Sequence, residues 1–175
     1  TFVFRNVPQG SYVLQARATP GFGTALVTVS DRDMTEVAIK ILPPMTARGR
    51  VTFQGGTPPP RERVQINVGP TDFVSGPVGG LRAPGVKIND DWTFELPGLQ
   101  SIGVVIATAP PNWQLVRVTV GGEDITDKPY DFRLRDVSDV EIVLSDRWAT
   151  VRATVTDVAG QPAPDCTVIV FSQDA

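Results

Sequence analysis

The sequence predicts an all-β protein built from tandem antiparallel Greek-key β-sandwich domains. Three observations predict this fold class. Short segments in which apolar and polar residues alternate recur along the 175-residue chain, and no segment keeps the apolar period of a long helix. Glycine and proline number 16 each, a content typical of many short strands joined by turns. A sequence pattern also recurs after about 100 residues, which is the size of one small domain.

The repeat is visible in two stretches of the chain. Residues 48–60 align with residues 152–164 at a constant displacement of 104 residues. Upstream, residues 37–41 align with residues 140–144 at a displacement of 103 residues. Solenoid units are about 20–50 residues long, so a period near 100 residues indicates whole domains in tandem.

The phase of the repeat divides the chain into three parts. Residues 1–43 correspond to the C-terminal part of a sandwich repeat, residues 44–146 to one complete repeat with an inserted loop, and residues 147–175 to the N-terminal part of a third repeat. Two explanations remain open. The chain is either a stretch of a longer array, or a subunit whose tail completes the head of the next copy.

The first part contains three predicted strands. Apolar and polar side chains alternate over residues 12–17, residues 26–29 form a short apolar strand, and residues 37–42 alternate again. Pro43 and Pro44 end the last of these strands, because proline cannot donate a backbone hydrogen bond.

The complete repeat contains about seven predicted strands in 100 residues, a density typical of an antiparallel sandwich. They cover residues 47–53, 64–68, 92–96, 104–108, 114–120, 130–134 and 140–144. Residues 76–85, rich in glycine and proline, are predicted to form a surface insertion. In the third part, residues 165–171 form a β-type run in which Cys166 is expected to be a small buried or edge-strand residue.

Two motifs give the chain a family resemblance. Residues 4–14 (FRNVPQGSYVL) resemble the F-x-x-V-P-x-G-x-Y-x-L signature of the carboxypeptidase regulatory-like domain. The opening signature of that family, G-x-V-x-x-x-x-G-x-P, is matched by residues 49–58 and more loosely by residues 153–162. The resemblance implies a transthyretin-like β-sandwich related to the CnaB-type modules of bacterial surface proteins. It therefore implies a location outside the cell, on the bacterial surface or in the periplasm.

The first motif predicts a tight turn that leads into a strand. Pro8 presets one backbone angle and Gly10 permits a positive φ. We expect Tyr12 to pack its ring on the core while its hydroxyl reaches a backbone group. The complete repeat departs from the motif, because Pro97 and Gly98 are adjacent and one residue is missing between them.

The absence of certain residue types argues against catalysis. The chain has no histidine and a single cysteine, which removes the commonest general base, the commonest zinc ligand and any intrachain disulfide. No nucleophile–base pair or paired-carboxylate signature is visible. The sequence therefore predicts no enzyme, no catalytic residue and no cofactor.

Charge and hydropathy exclude two classes of partner. The net charge of −3 argues against nucleic acid, since phosphate contacts need clustered lysine and arginine. No stretch approaches the roughly 18 apolar residues of a membrane helix, so no membrane insertion is predicted for this segment.

One acidic loop is a weak candidate for a calcium site. Glu123, Asp124 and Asp127 place three carboxylates within five residues, and calcium prefers such oxygen-rich loops. The spacing of an EF-hand is absent, so a solvated loop or a turn cap is the favoured explanation and no metal is predicted.

The three tryptophans are the candidate ligand or interface aromatics. Trp92, Trp113 and Trp148 could together form a platform on which sugars stack, although tryptophan in sandwiches more often packs in the core or between domains. Trp113 follows two prolines in a loop and is expected to be the most exposed. Trp148 lies at a junction between repeats and is expected to bury a domain interface.

These observations lead to two hypotheses of different classes. The first is a noncatalytic structural, spacer or adhesive module of an exported bacterial protein, which assembles head to tail by strand complementation into a filament. Its partners are neighbouring copies of the same domain, in the same chain or in the next subunit. The alternative is a carbohydrate- or protein-binding accessory module of a larger secreted enzyme, with a carbohydrate or a surface protein as partner.

Overall fold

The computed structural model describes residues 2–71 and 86–170, and nearly all regular structure in them is β-strand. The described helical structure is the 3₁₀ turn Arg61–Arg63. The prediction of an all-β protein is therefore confirmed. The predicted surface insertion at residues 76–85 lies outside the described residues.

The described strands form three sheets. A hairpin of two strands precedes a six-stranded sheet with the order β5-β6-β3-β11-β8-β9 and a three-stranded sheet with the order β10-β7-β4. In chain order the strands are β1 (Gly10–Arg17), β2 (Phe22–Val29), β3 (Met45–Gln54), β4 (Gln65–Pro70), β5 (Lys87–Ile88), β6 (Thr93–Leu99), β7 (Ile102–Thr108), β8 (Gln114–Val120), β9 (Glu123–Asp124), β10 (Tyr130–Asp131) and β11 (Val137–Ser145).

The six-stranded and three-stranded sheets share one hydrophobic core. Alternate residues of β3, β4, β7, β8 and β11 point into it, as the period of two in their sequences predicts. Its largest fully buried side chains are Phe132, Ile66, Leu96, Ile142, Leu144 and Val118. Every described strand of this core lies between residues 44 and 146, the bounds predicted for the complete repeat.

The central pair of the large sheet is parallel. Strand β11 pairs with β3 from Val140 opposite Gly49 to Ser145 opposite Gln54. The prediction of purely antiparallel sheets is wrong at this pair. Neighbouring parallel strands need a long crossover, and the residues that pass through the second sheet between β3 and β11 supply it.

A carboxylate closes each end of this parallel pair. Before β11, Asp136 Oδ1 accepts a hydrogen bond from the backbone N–H of Thr46 at 2.9 Å. After β11, Asp146 Oδ2 accepts one from the backbone N–H of Gly56 at 3.0 Å. These bonds join the first and last strands of the repeat beyond their ladder.

Gly49 allows the closest approach in this pair. A Cβ atom placed on Gly49 would overlap the backbone carbonyl oxygen of Val140, which cannot move away as a flexible side chain could. The glycine of the opening signature is therefore needed for the parallel contact.

Some predicted strands are shorter than expected or absent. Residues 37–42 form no strand, and only Leu42 makes an isolated bridge, to Phe22. Residues 166–170 also form no strand, and Cys166 is exposed. The strand predicted at residues 130–134 is limited to Tyr130–Asp131. Alternation gives a segment the capacity to form a strand, but the strand needs a neighbour to pair with.

The proline–glycine motif takes two forms. In the first part, the Tyr12 hydroxyl donates to the Pro8 carbonyl oxygen at 2.9 Å, so the expected hydroxyl–backbone contact is confirmed. In the complete repeat, Pro97 and Gly98 lie inside β6 as a bulge opposite β3, and Gly98 has a φ of 81°. Without the residue between them, the pair bends a strand instead of making the turn.

Candidate functional site

Trp113 is a core residue. Its side chain is 6% exposed, so the expectation of an exposed Trp113 is wrong. The backbone N–H of Trp113 donates to the carbonyl oxygen of Pro110 at 2.8 Å, and this turn directs the ring beneath the large sheet. There the ring meets Phe53 edge to face, with 5.3 Å between centroids and an interplanar angle of 86°.

Trp92 contacts the same phenylalanine. Its ring centroid lies 4.5 Å from that of Phe53 at an angle of 70°, and its side chain is partly buried against the core. Phe53, Trp92 and Trp113 thus form an aromatic cluster with edge contacts. Two of the three candidate aromatics therefore contribute to packing, and their faces do not line up as a stacking platform.

Trp148 is exposed in the described part of the chain. It is 60% exposed and does not bury an interface there, contrary to expectation. Its indole Nε1–H donates to the Asn112 carbonyl oxygen at 3.0 Å, while Gln114 Nε2 donates to the Arg147 carbonyl oxygen at 3.1 Å. These two bonds hold the chain that follows β11 against the loop that precedes β8.

The acidic loop is organised as a turn. Asp124 Oδ1 accepts hydrogen bonds from the backbone N–H and the hydroxyl of Thr126, at 2.9 and 2.6 Å. These bonds favour the carboxylate and lower the pKa of Asp124. Glu123 lies beside it in β9, and Asp127 follows with a φ of 55°. Within residues 2–71 and 86–170, no three potential metal ligands lie close enough to hold an ion.

The same Asp-x-Thr turn occurs in the loop between β5 and β6. Asp91 Oδ1 accepts from the backbone N–H and the hydroxyl of Thr93 at 3.1 and 2.7 Å, which lowers the pKa of Asp91. This pair was not predicted from the sequence, although the Asp-x-Thr spacing marks both loops. In both turns, the aspartate carboxylate accepts hydrogen bonds from the threonine two residues further along the chain, and these bonds order the turn.

Asp131 makes a local ion pair. Its carboxylate accepts from Arg133 Nε at 2.8 Å and from Arg133 Nη2 at 2.7 Å, and the hydrogen bonds from this guanidinium lower its pKa. The two residues of the pair flank the buried Phe132 in sequence.

The tail segment, residues 147–170, exposes positions that the complete repeat buries. At the repeat displacement of 104 residues, three of its valines correspond to core residues of β3 and β4 and of the loop between them. The exposed fractions are 38% for Val155, 60% for Val168 and 83% for Val170, against 3% for Val51, 5% for Val64 and 1% for Ile66.

The head segment, residues 2–43, shows the same contrast. Phe4 is 66% exposed, whereas Phe94, its counterpart in the complete repeat, is 3% exposed. Ile41 is 37% exposed, whereas its counterpart Leu144 is fully buried. Large apolar side chains at both segments therefore face water at positions where a sandwich of this kind has core, which makes these segments the candidate interaction site.

Comparisons with known proteins leave the family open. No family model, no curated protein and no solved structure matches the chain. Among the residues that the structure describes, none of the helical segments has the length and apolar character that crossing a membrane requires.

Proposed function

We propose that the chain is a noncatalytic structural module of an exported bacterial protein, a spacer or adhesive β-sandwich that associates end to end with copies of itself. One observation carries the proposal. Residues that are core in the complete repeat have exposed counterparts in the head and tail segments. A partner that covers them gains the stabilisation that the complete repeat already has from burial.

The head and tail segments carry counterparts of different strands of the complete repeat. The head segment carries counterparts of the strands from β6 onward, and the tail segment carries counterparts of β3 and β4. Together they supply nearly every strand of one further sandwich and lack mainly the counterpart of the loop region before β6. Residues 37–41 and 166–170 form no strand in the described chain, so strand addition as well as apolar contact is proposed for them.

The family assignment is part of the proposal. The residues of the two signatures support a tandem Greek-key sandwich of the transthyretin and CnaB type, as in carboxypeptidase regulatory-like domains. The parallel contact at Gly49 and the Tyr12–Pro8 hydrogen bond give these signature residues physical roles. Such domains belong on the bacterial surface, in the surrounding medium or in the periplasm.

The noncatalytic assignment rests on residue types. A chain without histidine and with one exposed cysteine has few means of general acid–base or nucleophilic catalysis. The carboxylates with lowered pKa, Asp91, Asp124 and Asp131, are held by adjacent residues in turns or a local ion pair, where they stabilise local structure.

Sedimentation velocity tests the proposal. The 175-residue chain is expected to sediment as long polymers, whose size falls with dilution, because a head-to-tail contact does not close on itself. A variant that lacks residues 147–175 is expected to be a monomer. Its circular dichroism spectrum is expected to keep the β-strand signal of the intact chain. A folded monomer of the intact chain at high concentration contradicts the proposal.

The carbohydrate-binding alternative now depends on Trp148. Trp148 is the tryptophan whose ring is largely exposed, whereas Trp92 and Trp113 pack on Phe53. A glycan array probed with the intact chain and with Trp148→Ala separates the alternatives. Binding that disappears with Trp148→Ala supports a binding module, and absence of binding by the intact chain supports the structural module.

A further inference from the structure

We infer that the complete repeat bears tension, and that the parallel pair of β3 and β11 is the element that resists it. The inference rests on the structural role proposed above and adds a mechanical function to that role. It does not depend on association between copies, because the contacts that carry it lie within residues 44–146.

The parallel pair determines how a pull acts on the repeat. The chain enters the repeat at the start of β3 and leaves it at the end of β11. The two strands lie side by side over six consecutive residue pairs, from Val140 opposite Gly49 to Ser145 opposite Gln54. A pull on the flanking chain therefore draws the strands past each other in shear, and several ladder hydrogen bonds must break at the same time. Antiparallel neighbours would instead be peeled apart, one bond after another.

Both strands lie in the middle of the large sheet. The sheet has the order β5-β6-β3-β11-β8-β9, so β3 also pairs with β6, and β11 also pairs with β8. Each strand that takes up the pull is therefore held along both of its edges. Moving either strand breaks two ladders, whereas moving an edge strand would break one.

The second half of β11 is buried on both faces. Ile142 and Leu144 belong to the core, while Val143, whose side chain points to the opposite face, is 3% exposed. Water competes for backbone hydrogen bonds as strands separate, and burial on both faces keeps it away from this part of the ladder. The hydrogen bonds there are also stronger in the low local dielectric.

Two carboxylates extend the ladder at its ends. Asp136, just before β11, accepts from the Thr46 backbone N–H at the start of β3, and its Oδ2 lies 3.8 Å from Arg48 Nη1. Asp146, just after β11, accepts from the Gly56 backbone N–H beyond the end of β3. Each carboxylate joins the end of one strand that takes up the pull to the other end of its neighbour. Shear therefore stretches these bonds together with the ladder.

Pulling the intact chain in two directions with optical tweezers tests the inference. Handles are attached through pairs of cysteines at exposed positions, in a Cys166→Ser background. The pair Pro43→Cys and Arg147→Cys flanks the repeat at opposite ends and applies shear. The control pair Gln54→Cys and Arg147→Cys pulls on the same end of both strands and peels the same ladder. The unfolding force is expected to be several-fold higher for the first pair, and equal forces overturn the inference.

The variant Asp136→Ala gives a second readout in both pulling directions. In shear, the loss of a charge-assisted hydrogen bond is expected to raise the unfolding rate at a fixed force about tenfold. In peeling, the first bonds to open are those at Ser145, at the other end of the ladder, so the rate is expected to stay unchanged. Asp139→Ala removes an exposed carboxylate from β11 itself and is expected to change neither rate.

Circular dichroism before pulling checks that each variant is folded. If Asp136→Ala accelerates unfolding equally in both directions, the carboxylate stabilises the fold without a mechanical role, which contradicts its place in the inference. The same conclusion follows if Asp136→Ala and Asp139→Ala have equal effects in shear.

The outcomes separate this inference from the proposed association. Equal forces in the two directions, from a chain that forms polymers in sedimentation, overturn the mechanical role and leave the end-to-end association standing. A higher force in shear, from a chain that sediments as a monomer, supports the mechanical role and contradicts the association. Equal forces from a monomer overturn both.

Discussion

Replacing Trp113 with alanine should strongly destabilise the complete repeat, because this side chain fills the core and supports Phe53. Trp113 is 6% exposed and meets Phe53 at a centroid distance of 5.3 Å. Large-to-small changes of buried aromatics cost about 3–5 kcal/mol, lost contacts and the residual cavity included. Domains of this size are stable by about 5–15 kcal/mol, so the loss is a large share of the total.

The matched control is Trp148→Ala. Trp148 is 60% exposed and makes one hydrogen bond, to the Asn112 carbonyl oxygen. Removing it is expected to cost about 1 kcal/mol, the net value of an ordinary hydrogen bond.

Urea unfolding and thermal unfolding, both followed by far-UV circular dichroism, measure both variants, since this signal comes mainly from the backbone. The melting temperature of Trp113→Ala should fall by at least about 12 °C, at roughly 4 °C or more for each kcal/mol in a domain of about 100 residues. A loss below about 1 kcal/mol for Trp113→Ala, or an equal loss for Trp148→Ala, would refute the placement of these two rings.

Two further predictions concern the backbone and the carboxylates. Gly49→Ala should destabilise the chain by about 1–3 kcal/mol in urea unfolding, because the new methyl overlaps a backbone carbonyl. Gly69→Ala is the control, since its methyl meets mainly the flexible end of the Ile106 side chain. Equal losses of stability in the two variants would contradict the close approach at Gly49. The pKa of Asp124 is lower in the folded chain than in the unfolded chain, so its carboxylate stabilises the fold at pH values above the unfolded pKa. This contribution is lost as the pH falls through the lower folded pKa. The urea midpoint should therefore stay level from about pH 7.5 to 6, since no histidine titrates, and should fall below about pH 4. The variant Asp124→Asn should show a weaker fall at acid pH. A steep change of the midpoint between about pH 6 and 7.5 would contradict this prediction.

The sequence could predict the strands of the complete repeat because alternate side chains of each strand are buried on one face. The strand predicted at residues 47–53 lies within Met45–Gln54, and that at residues 114–120 coincides with Gln114–Val120. The period of two shows which face of a strand is buried, and the repeat displacement shows which residues of the sequence correspond. Neither pattern records which strand lies beside which, so the parallel pairing of β3 and β11 could not be read from them.

The candidate site was harder to predict for a related reason. Trp113 follows two prolines in a loop, which suggests exposure, but the direction of its ring depends on the turn at Pro110 and on the distant Phe53. Residues 37–42 have the alternation of a strand, but in the described chain only Leu42 pairs, as an isolated bridge to Phe22. The residues predicted with least success are those whose environment is set by a contact far along the chain.

The parallel pair links the fold to the proposed function. In a sandwich whose first and last strands are antiparallel neighbours, the two termini lie at the same end, and successive domains fold back on each other. Here β3 and β11 run in the same direction, so the termini of the repeat lie at opposite ends of a strand of 10 residues, or about 33 Å. In the proposed array, each further repeat would then add its length along one axis. An array of such repeats grows in length without folding back, and that geometry is what a spacer requires.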